Sequence, residues 1–231
     1  MEDFEYLKNV YIAHRGIYNN IDIIENTLEA FSKAIDKKIP IEFDIRMLKD
    51  GTLVVFHDKS LKRLAKCDKD VSEFNISNLK TITLCNNRSR IPSFNDVLNL
   101  VNGEVLVDIE LKDTKHPFKL IKNVINILDL YNGKFIIKSF NPFYMLLIRI
   151  YRKAYIRGLL IDKKAVKIPL SLFVSKPNFI CCDKDIINNR KIQSYIKRNG
   201  CLLYCYNVKD KKEASSLNAD GFIIDENIKR Y

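Results

Sequence analysis

The chain has 231 residues, 47% of them hydrophobic, so it can build a sizeable buried core. Only 7 Gly and 6 Pro occur, and 29% of the residues are charged, which excludes collagen-like and linker-dominated classes. The longest apolar stretches, such as residues 143–148, are far shorter than the roughly 20 residues of a membrane span. The first five residues lack the basic-then-apolar order of a secretory signal. We therefore expect a single globular domain over residues 1–231, located in the cytoplasm.

Charge and cysteine content bear on the partners and on the redox compartment. The net charge of +11, from 39 Lys and Arg against 28 Asp and Glu, favours anionic partners without selecting among nucleic acid, phosphate esters and anionic lipid. Six cysteines would suffice for three disulfides, but most of them lie in apolar runs, and their spacing matches no common zinc pattern. We predict buried structural thiols in a reducing compartment.

Short apolar or β-branched runs predict nine strands, at residues 10–13, 41–46, 53–56, 105–111, 135–138, 155–161, 179–182, 201–206 and 222–224. Between most of them, apolar residues recur at helical spacing, which predicts helices at residues 28–38, 94–101, 118–131, 143–153, 185–199 and 209–217. Strands and helices therefore alternate along most of the chain.

The second and third runs are too close for a parallel crossover, because only residues 47–52 separate them. Asp50 and Gly51 are turn residues, so these two runs are predicted to form a hairpin. The other strands, in a chain near the usual length of about 250 residues, indicate a (β/α)8 TIM barrel with a β-hairpin excursion after strand 2. A doubly wound open sheet is the alternative. Residues 59–90 are polar and weakly periodic, and we expect them to leave the barrel as a lid or as a stretch with a small helix.

Polar residues end several of the predicted strands, which is where the chemistry of such a barrel lies. The first run ends in His14, and the hairpin arm ends in His57 and Asp58. A single histidine is usually structural, but two at strand ends of one barrel favour duties as general acid and base. The third histidine, His116, falls in a predicted loop, and we assign it no function.

Carboxylates alternate with apolar residues in two of the predicted strands. Strand period 2 places Glu42 and Asp44 on one face of the second strand and lines up Asp108, Glu110 and Lys112 in a later one. Such residues are common on exposed strand faces, but three inward-pointing carboxylates at 42, 44 and 110 are costly unless a cation or a proton compensates. Because the set offers only oxygen ligands, we predict one divalent cation, Mg²⁺ or Ca²⁺ rather than Zn²⁺.

Two basic residues adjoin the predicted metal site. Arg15 follows His14 directly, and Lys112 follows Glu110 by two residues. Fixed cations beside a divalent ion form a receptor for a phosphate group, whereas either one alone is most often a solvated surface charge. The combination predicts phosphate binding at the carboxyl ends of the strands.

These residues, in this order, resemble the glycerophosphodiester phosphodiesterase family. The resemblance extends from residue 13 to residue 225, and its specificity lies in the joint order of the pieces. The matching pieces are Ala13-His14-Arg15-Gly16, Glu25-Asn26-Thr27 followed by Leu28-Glu29-Ala30-Phe31, Glu42-Phe43-Asp44, Lys49-Asp50-Gly51, Val54-Val55-Phe56-His57-Asp58, Asp108-Ile109-Glu110-Leu111-Lys112, Ser139-Phe140 and Asp220-Gly221-Phe222-Ile223-Ile224-Asp225.

The resemblance implies a (β/α)8 barrel that uses a divalent cation to hydrolyse a glycerophosphodiester to glycerol 3-phosphate and an alcohol. The implied residues fall into three groups, with metal ligands at Glu42, Asp44 and Glu110, a general acid and base at His14 and His57, and phosphate contacts at Arg15 and Lys112. The resemblance leaves open which histidine is the acid. It also leaves open whether a glycerol hydroxyl or water attacks the phosphorus.

The remaining predicted site residues concern the substrate. Asn26 is expected to contact the substrate or to cap the helix that follows it, and Ser139 is a further expected contact. The sequence departs from the family pattern at Ile24, where Pro is common, and in Tyr204-Cys205-Tyr206-Asn207, which stands where the family has Trp-Thr-Val-Asn. Tyr204 is therefore predicted to form the aromatic wall of the alcohol pocket.

Other functions remain as alternatives. A lysophospholipase D or phospholipase C-like lipid phosphodiesterase would use the same residues, and segment 163–176, with Leu170, Leu172 and Phe173, would make peripheral contact with an anionic membrane. A phosphate-binding module without catalysis is disfavoured, because such proteins usually lose a histidine or a metal ligand. A nucleic-acid partner is not expected, because the lysines are scattered rather than banded with aromatic residues.

Overall fold

The computed structural model describes residues 4–165 and 167–225. In this part of the chain the strands are β1 (Val10–His14), β2 (Ile41–Met47), β3 (Leu53–Val55), β4 (Val107–Leu111), β5 (Phe135–Ser139), β6 (Arg157–Ile161), β7 (Phe179–Asp183), β8 (Leu202–Val208) and β9 (Gly221–Ile224). All of them except β3 form a closed parallel ring, because β1 pairs with β9 on one side and with β2 on the other. The closure confirms the predicted (β/α)8 barrel and excludes the open sheet.

β3 is the arm of the predicted hairpin. It runs antiparallel to β2, with Ile45 opposite Val55. In the turn between them, Thr52 N donates a hydrogen bond to Asp50 Oδ1 at 2.9 Å, and Gly51 has a φ of +96°. Only glycine adopts that backbone conformation without strain, so the sequence signal and the observed turn agree.

Helices cover the outside of the ring. They are α1 (Leu28–Asp36), α2 (Lys62–Ala65), α3 (Ile76–Leu79), α4 (Phe94–Val101), α5 (Pro117–Leu128), α6 (Pro142–Tyr151), α7 (Ile168–Ser175), α8 (Arg190–Asn199) and α9 (Lys211–Ala214), with 3-10 turns at Glu5–Leu7, Val71–Glu73 and Lys184–Ile186. Each helix that follows a barrel strand begins at the carboxyl ends of the strands, here called the mouth, and ends at the opposite, lower end. None of the helices in the described residues has the length and apolar character of a membrane span.

The sequence did not predict α7, and it offered a small helix in residues 59–90 only as an alternative to a lid, without placing the single-turn helices α2 and α3. Helix α7 has the sequence IPLSLFVS, which is apolar nearly throughout. Apolar and polar residues therefore do not alternate with the 3.6-residue period that predicts a helix. Helices α2 and α3 lie in the predicted excursion, residues 59–90. This segment packs on the barrel through its own buried cluster, made of Ile24, Leu48, Val54, Phe56, Leu61, Leu64, Val71, Leu79, Leu84 and Ile91. The packing gives the excursion a fixed position beside the mouth.

Strand alternation divides the barrel into two environments. Side chains of β2 such as Phe43 and Ile45 point outward and pack against the helices. Inward-facing side chains fill the lower barrel with a smaller cluster, which includes Ile12, Leu106, Ile136, Leu160, Cys181, Tyr204 and Ile223. All six cysteines are free thiols, as predicted, although Cys85 is exposed and Cys67 is half-buried rather than buried. Above the apolar layer, the inward positions change from apolar to charged.

Candidate active site

Three inward-facing carboxylates lie side by side at the mouth of the barrel. The strand register produces this arrangement, because Glu42 on β2 is level with His14 on β1, and Asp44 on β2 is level with Glu110 on β4. One oxygen from each of Glu42, Asp44 and Glu110 lies within 4.8 Å of the others, and all three side chains are buried. The structure thus brings together the three residues that the sequence suggested as metal ligands.

The donors of this cluster suit a hard cation. Asp44 Oδ1 is buried and accepts no well-directed hydrogen bond, although Lys112 Nζ lies 2.8 Å away. The same ammonium group contacts Glu110 Oε1. Burial alone would raise the pKa of Asp44, but Lys112 and Arg15 outweigh it and hold that pKa well below its usual range. Burial together with Asp44 and Glu42 raises the pKa of Glu110 despite Lys112. A charged, oxygen-only cluster with an orphaned acceptor fits Mg²⁺ or Ca²⁺.

A buried ion pair adjoins the cluster, because Asp108 is level with Glu42 and Lys138 is level with Glu110. The sequence reasoning missed Lys138. Lys138 on β5 is 1% exposed, and its Nζ lies 2.5 Å from Asp108 Oδ2 and 3.3 Å from Glu42 Oε1. Burial raises the pKa of Asp108, and Glu42 adds to this effect while Lys138 opposes it. Lys138 is the cation that makes two adjacent buried carboxylates tolerable at this depth. The signal in the sequence was a lysine inside the apolar run 135–138, level with Glu110 in the parallel register.

Each catalytic candidate histidine is anchored through Nδ1 by a carboxylate. His14 Nδ1 donates to Asp225, and its Nε2 lies 3.8 Å from Glu42 Oε2. His57 Nδ1 donates to Asp58 Oδ1 at 2.7 Å. Because the carboxylates fix Nδ1, each ring presents Nε2 for proton transfer.

The surroundings of the two imidazoles shift their pKa values in opposite directions. Burial lowers the pKa of His14, but the Glu42 carboxylate and the hydrogen bond to Asp225 more than offset this, so the net pKa is raised. Burial also lowers the pKa of His57, and here the attraction of Asp44 does not compensate. Two histidines with opposite preferences for the proton suit a pair of acid and base.

A chain of ion pairs connects the predicted phosphate contact to His57. Arg15 Nη1 donates to Glu25 Oε1 at 2.7 Å, and Arg63 of α2 donates to the same oxygen at 2.7 Å. Arg63 also donates to Asp58, the residue that anchors His57. The hydrogen bonds from Arg63 to Glu25 and the charge of Arg15 outweigh the effect of burial and lower the pKa of Glu25 to about 2. The excursion therefore contributes a residue to the site, which no local pattern in the sequence indicated.

Left-handed backbone at two positions shapes the first strand-to-helix loop. Arg15 has a φ of +58° and Gly16 a φ of +82°, and a Cβ on Gly16 would lie 2.8 Å from the backbone of Ala30. The turn directs Arg15 N toward Glu42 Oε2, at 3.3 Å. Glycine is required here both for its φ and for the close approach of α1.

Asn26 occupies a role that differs from both expectations. Thr27, not Asn26, caps α1 by accepting from Ala30 N at 3.4 Å. Asn26 has a φ of +57°, is 2% exposed, and donates from Nδ2 to Asp44 Oδ2 at 2.8 Å. The amide thus orients one carboxylate of the cluster and is too deeply buried to be a surface for the substrate.

Two predicted substrate contacts are corrected by the structure. Ser139 is 1% exposed, and its hydroxyl donates to Leu111 O at 2.7 Å while accepting from Asn141 N at 3.1 Å, so it fixes the end of β5. Tyr204 is fully buried in the lower barrel, where its hydroxyl donates to Leu7 O at 2.6 Å. Neither side chain is available to a ligand at the mouth.

Tyr206 holds the position at the mouth that the sequence reading gave to Tyr204. Side chains alternate between the two faces of a strand, so Tyr204 and Tyr206 both face inward, but Tyr206 is two residues nearer the carboxyl end of β8. Its ring meets that of Phe140 edge to face, with centroids 6.3 Å apart. Counting the positions from the end of the strand would have identified it.

A groove of about 850 Å³ leads away from the cluster. It runs between the excursion and the loop after β4, and its lining includes Arg46, Lys59, Glu110, Lys112 and Phe140. The lining combines charged groups with the aromatic ring of Phe140, so a phosphate ester with an organic substituent fits its chemistry.

The sequence matches a known family. The sequence profile of the glycerophosphoryl diester phosphodiesterase family matches residues 14–229. The chain belongs to this family. The resemblance drawn from the sequence motifs is thereby confirmed.

Proteins of similar sequence match only part of this chain. A glycerophosphodiester phosphodiesterase of Caldanaerobacter subterraneus subsp. tengcongensis is 32% identical over 148 residues, which is 59% of this chain and 60% of that protein. Lysophospholipase D GDPD3 of Mus musculus is 37% identical over 68 residues, or 29% of this chain and 20% of that protein. The matched part therefore spans less than two thirds of either relative.

Solved structures agree with the fold. The structure of an Oleispira antarctica phosphodiesterase, in complex with the product sn-glycerol-3-phosphate, matches this chain with a TM-score of 0.84. The identity is 19%, and the match covers 96% of this chain and 95% of that one. At such low identity the likeness establishes a shared barrel architecture.

Proposed function

We propose that this protein hydrolyses a glycerophosphodiester to glycerol 3-phosphate and an alcohol, with one divalent cation, Mg²⁺ or Ca²⁺. The observation that carries the proposal is the convergence of three buried carboxylates with two histidines, each anchored by a carboxylate, at the mouth of one barrel. Family membership supports the same substrate class.

Glu42, Asp44 and Glu110 would hold the cation, and Asn26 would orient Asp44 toward it. When bound, the cation supplies positive charge that offsets the negative charge of the phosphate oxygens. Lys112 and Arg15 face the same carboxylates and add fixed positive charge beside them. A phosphodiester resists attack because its own charge repels nucleophiles, so this concentration of positive charge favours both binding and reaction.

The histidines would move the protons. Hydrolysis requires one group to remove a proton from the attacking hydroxyl and another to protonate the departing alcohol oxygen. His14 and His57 both present Nε2, because Asp225 and Asp58 occupy Nδ1. We propose that they share these two duties, with either the neighbouring glycerol hydroxyl or water as the nucleophile.

A panel of phosphodiesters assayed with and without divalent ion tests this proposal. The panel contains glycerophosphocholine, lysophosphatidylcholine and a cyclic nucleotide, and release of alcohol or phosphate monoester is followed. We expect turnover of glycerophosphocholine that chelator abolishes and that Mg²⁺ or Ca²⁺ restores, because the carboxylate cluster needs a cation. Full activity of the metal-free protein would contradict the role given to the carboxylates, and inactivity on every diester would contradict the function.

Removing the Asn26 amide should weaken cation binding. Asn26→Gly is the suitable variant, because glycine tolerates the φ of +57° and only the side chain is lost. We expect affinity for Mg²⁺ or Ca²⁺ to fall about 10- to 100-fold, as for other lost partners of metal ligands. Calorimetric titration of the metal-free protein measures this directly. Asn199→Gly, at the exposed end of α8, is the matched control and should leave the affinity unchanged. Equal affinity in both variants would assign Asn26 to packing alone.

A lysophospholipid is the second candidate substrate. Leu170 and Phe173 in segment 163–176 are exposed beside lysines, as peripheral membrane contact requires. Leu172 is buried, so the expectation that it contacts the membrane is wrong. The mouse relative is named a lysophospholipase D, which supports the same class. Turnover of lysophosphatidylcholine exceeding that of glycerophosphocholine would favour this candidate.

A further inference from the structure

An apolar surface borders the mouth of the barrel on the side of β4, β5 and β6. It consists of Phe118, Phe140, Phe143 and Leu170, which are 58%, 46%, 38% and 56% exposed. We call these four residues the apolar rim. Phe118, Phe143 and Leu170 stand in the first turns of α5, α6 and α7, and Phe140 stands in the loop after β5. Because these strands are consecutive in the ring, their loops adjoin at the mouth.

Ring contacts link two rim residues to each other and a third rim residue to the site. The rings of Phe118 and Phe143 meet edge to face, with centroids 5.8 Å apart. Phe140 meets Tyr206 at the mouth and also lines the groove that leads to Glu110 and Lys112. Single exposed hydrophobic residues are ordinary, but a cluster that borders the entrance to a binding groove marks an interaction site.

The charge around the apolar rim is positive. The loops after β4, β5 and β6, residues 113–116, 140–141 and 162–167, contain four lysines and two aspartates. The lysines are Lys115, Lys163, Lys164 and Lys167, and all four are exposed. Lys163 pairs with Asp185 at 3.2 Å, and within the described residues no carboxylate pairs with the other three. Apolar side chains beside exposed lysines complement an anionic lipid surface, in which rings enter the headgroup layer and lysines face the charge.

We infer that the apolar rim and its lysines dock the mouth of the barrel on an anionic lipid bilayer. The inference deepens the proposed function and rests on it, because a docked mouth would receive phosphodiesters whose alcohol or glycerol part lies in the bilayer. The four rim residues lie on the same end of the barrel as the groove. A bilayer that contacts them therefore faces the entrance of the groove.

Flotation of the full chain with lipid vesicles tests this inference. The vesicles contain phosphatidylcholine alone or phosphatidylcholine mixed with phosphatidylglycerol. We expect binding to the mixed vesicles that weakens at high salt, and much weaker binding to phosphatidylcholine alone, because salt screens the lysines. For Phe118→Ser/Phe143→Ser we expect partitioning to fall about tenfold or more, given the apolar area lost from the contact.

The opposite end of the barrel provides the matched control. Leu130 is 87% exposed beyond the end of α5, and Ile150 is 64% exposed in the last turn of α6. Leu130→Ser/Ile150→Ser removes a comparable amount of exposed apolar surface at the lower end and should bind the vesicles like the wild type. Lys164→Glu/Lys167→Glu should lose binding to the mixed vesicles only.

Three outcomes would overturn the inference: no binding of the wild type to mixed vesicles, equal loss in both serine variants, or a wild-type dimer that Phe118→Ser/Phe143→Ser dissociates. The last outcome would assign the apolar rim to a second copy of the chain. Turnover of soluble glycerophosphocholine by the wild type reports on the proposed function separately. Vesicle binding without turnover of any diester in the panel would retain the docking surface and reject the hydrolase. Turnover without vesicle binding would retain the hydrolase and reject the docking surface.

Discussion

Replacing either His14 or His57 with alanine should lower the turnover of glycerophosphocholine by about 10²- to 10⁴-fold, the usual range for the loss of a general acid or base. The two histidines are oriented by separate carboxylates, Asp225 and Asp58, so each substitution removes one of the two proposed proton-transfer groups and leaves the other in place. Combining the two substitutions should lower the rate by less than the product of the single losses, because either loss already disables the concerted transfer.

The remaining histidine of the chain offers a control for the alanine variants. His116 lies on the surface at the start of α5, where its amide N donates to Thr114 Oγ1 at 3.3 Å. Its side chain also lines the groove, so His116→Ala should retain most of the wild-type kcat, and any loss should fall on KM. The free energy of unfolding, measured with urea, should be similar in all three variants, which separates lost chemistry from lost structure. Full activity of His14→Ala or His57→Ala would end the assignment.

The anchoring carboxylates should show smaller effects than the histidines. Asp58→Asn keeps a side chain of the same size beside His57 but no longer fixes the proton on Nδ1. Turnover should fall by less than in His57→Ala, and the pH profile should shift, because the imidazole loses a negative neighbour. An Asp58→Asn variant with an unchanged profile would show that Asp58 serves Arg63 rather than the histidine.

The fold could be predicted because its signals are local. Each barrel strand is a short apolar run, and the short connection at 47–52 allows only a hairpin. Glu42, Asp44 and Glu110 could be placed because strand alternation and parallel register act over neighbouring residues. Their convergence needed no knowledge of the helices.

The residues that the sequence reading missed act over long range. Arg63 reaches Glu25 from a single-turn helix within a polar segment, and no periodicity marks it. The sequence also does not show how deep in the barrel a side chain lies. Tyr204 and Tyr206 share a face of the strand, and only the closed barrel shows which one lies at the mouth. Lys138 was overlooked because a lysine in an apolar run reads as a strand end rather than as a buried cation.

Lys138→Met should destabilise the fold strongly, by about 3–5 kcal/mol, because removing one partner leaves uncompensated buried charge on Asp108 and Glu42. Urea unfolding in the presence of chelator measures the change without a contribution from bound cation. The surface pair of Lys38 and Glu104, 2.6 Å apart, gives the matched comparison. Lys38→Met should cost less than about 1 kcal/mol, because solvent screens that pair.

The sign of the pH dependence identifies the cause of the destabilisation. Burial and Glu42 already raise the pKa of Asp108 in the folded state, and removing Lys138 should raise it further. A carboxyl group whose pKa is raised by folding binds its proton more tightly in the folded protein. The folded protein therefore loses stability as the pH rises above the pKa that this group has in the unfolded chain. The deficit of Lys138→Met should therefore be smaller in mildly acidic than in mildly alkaline buffer. Adding Asp108→Asn should recover part of the loss, since one of the unpaired charges is then removed. A deficit that is independent of pH and of Asp108 would instead point to a packing defect left by the shorter side chain.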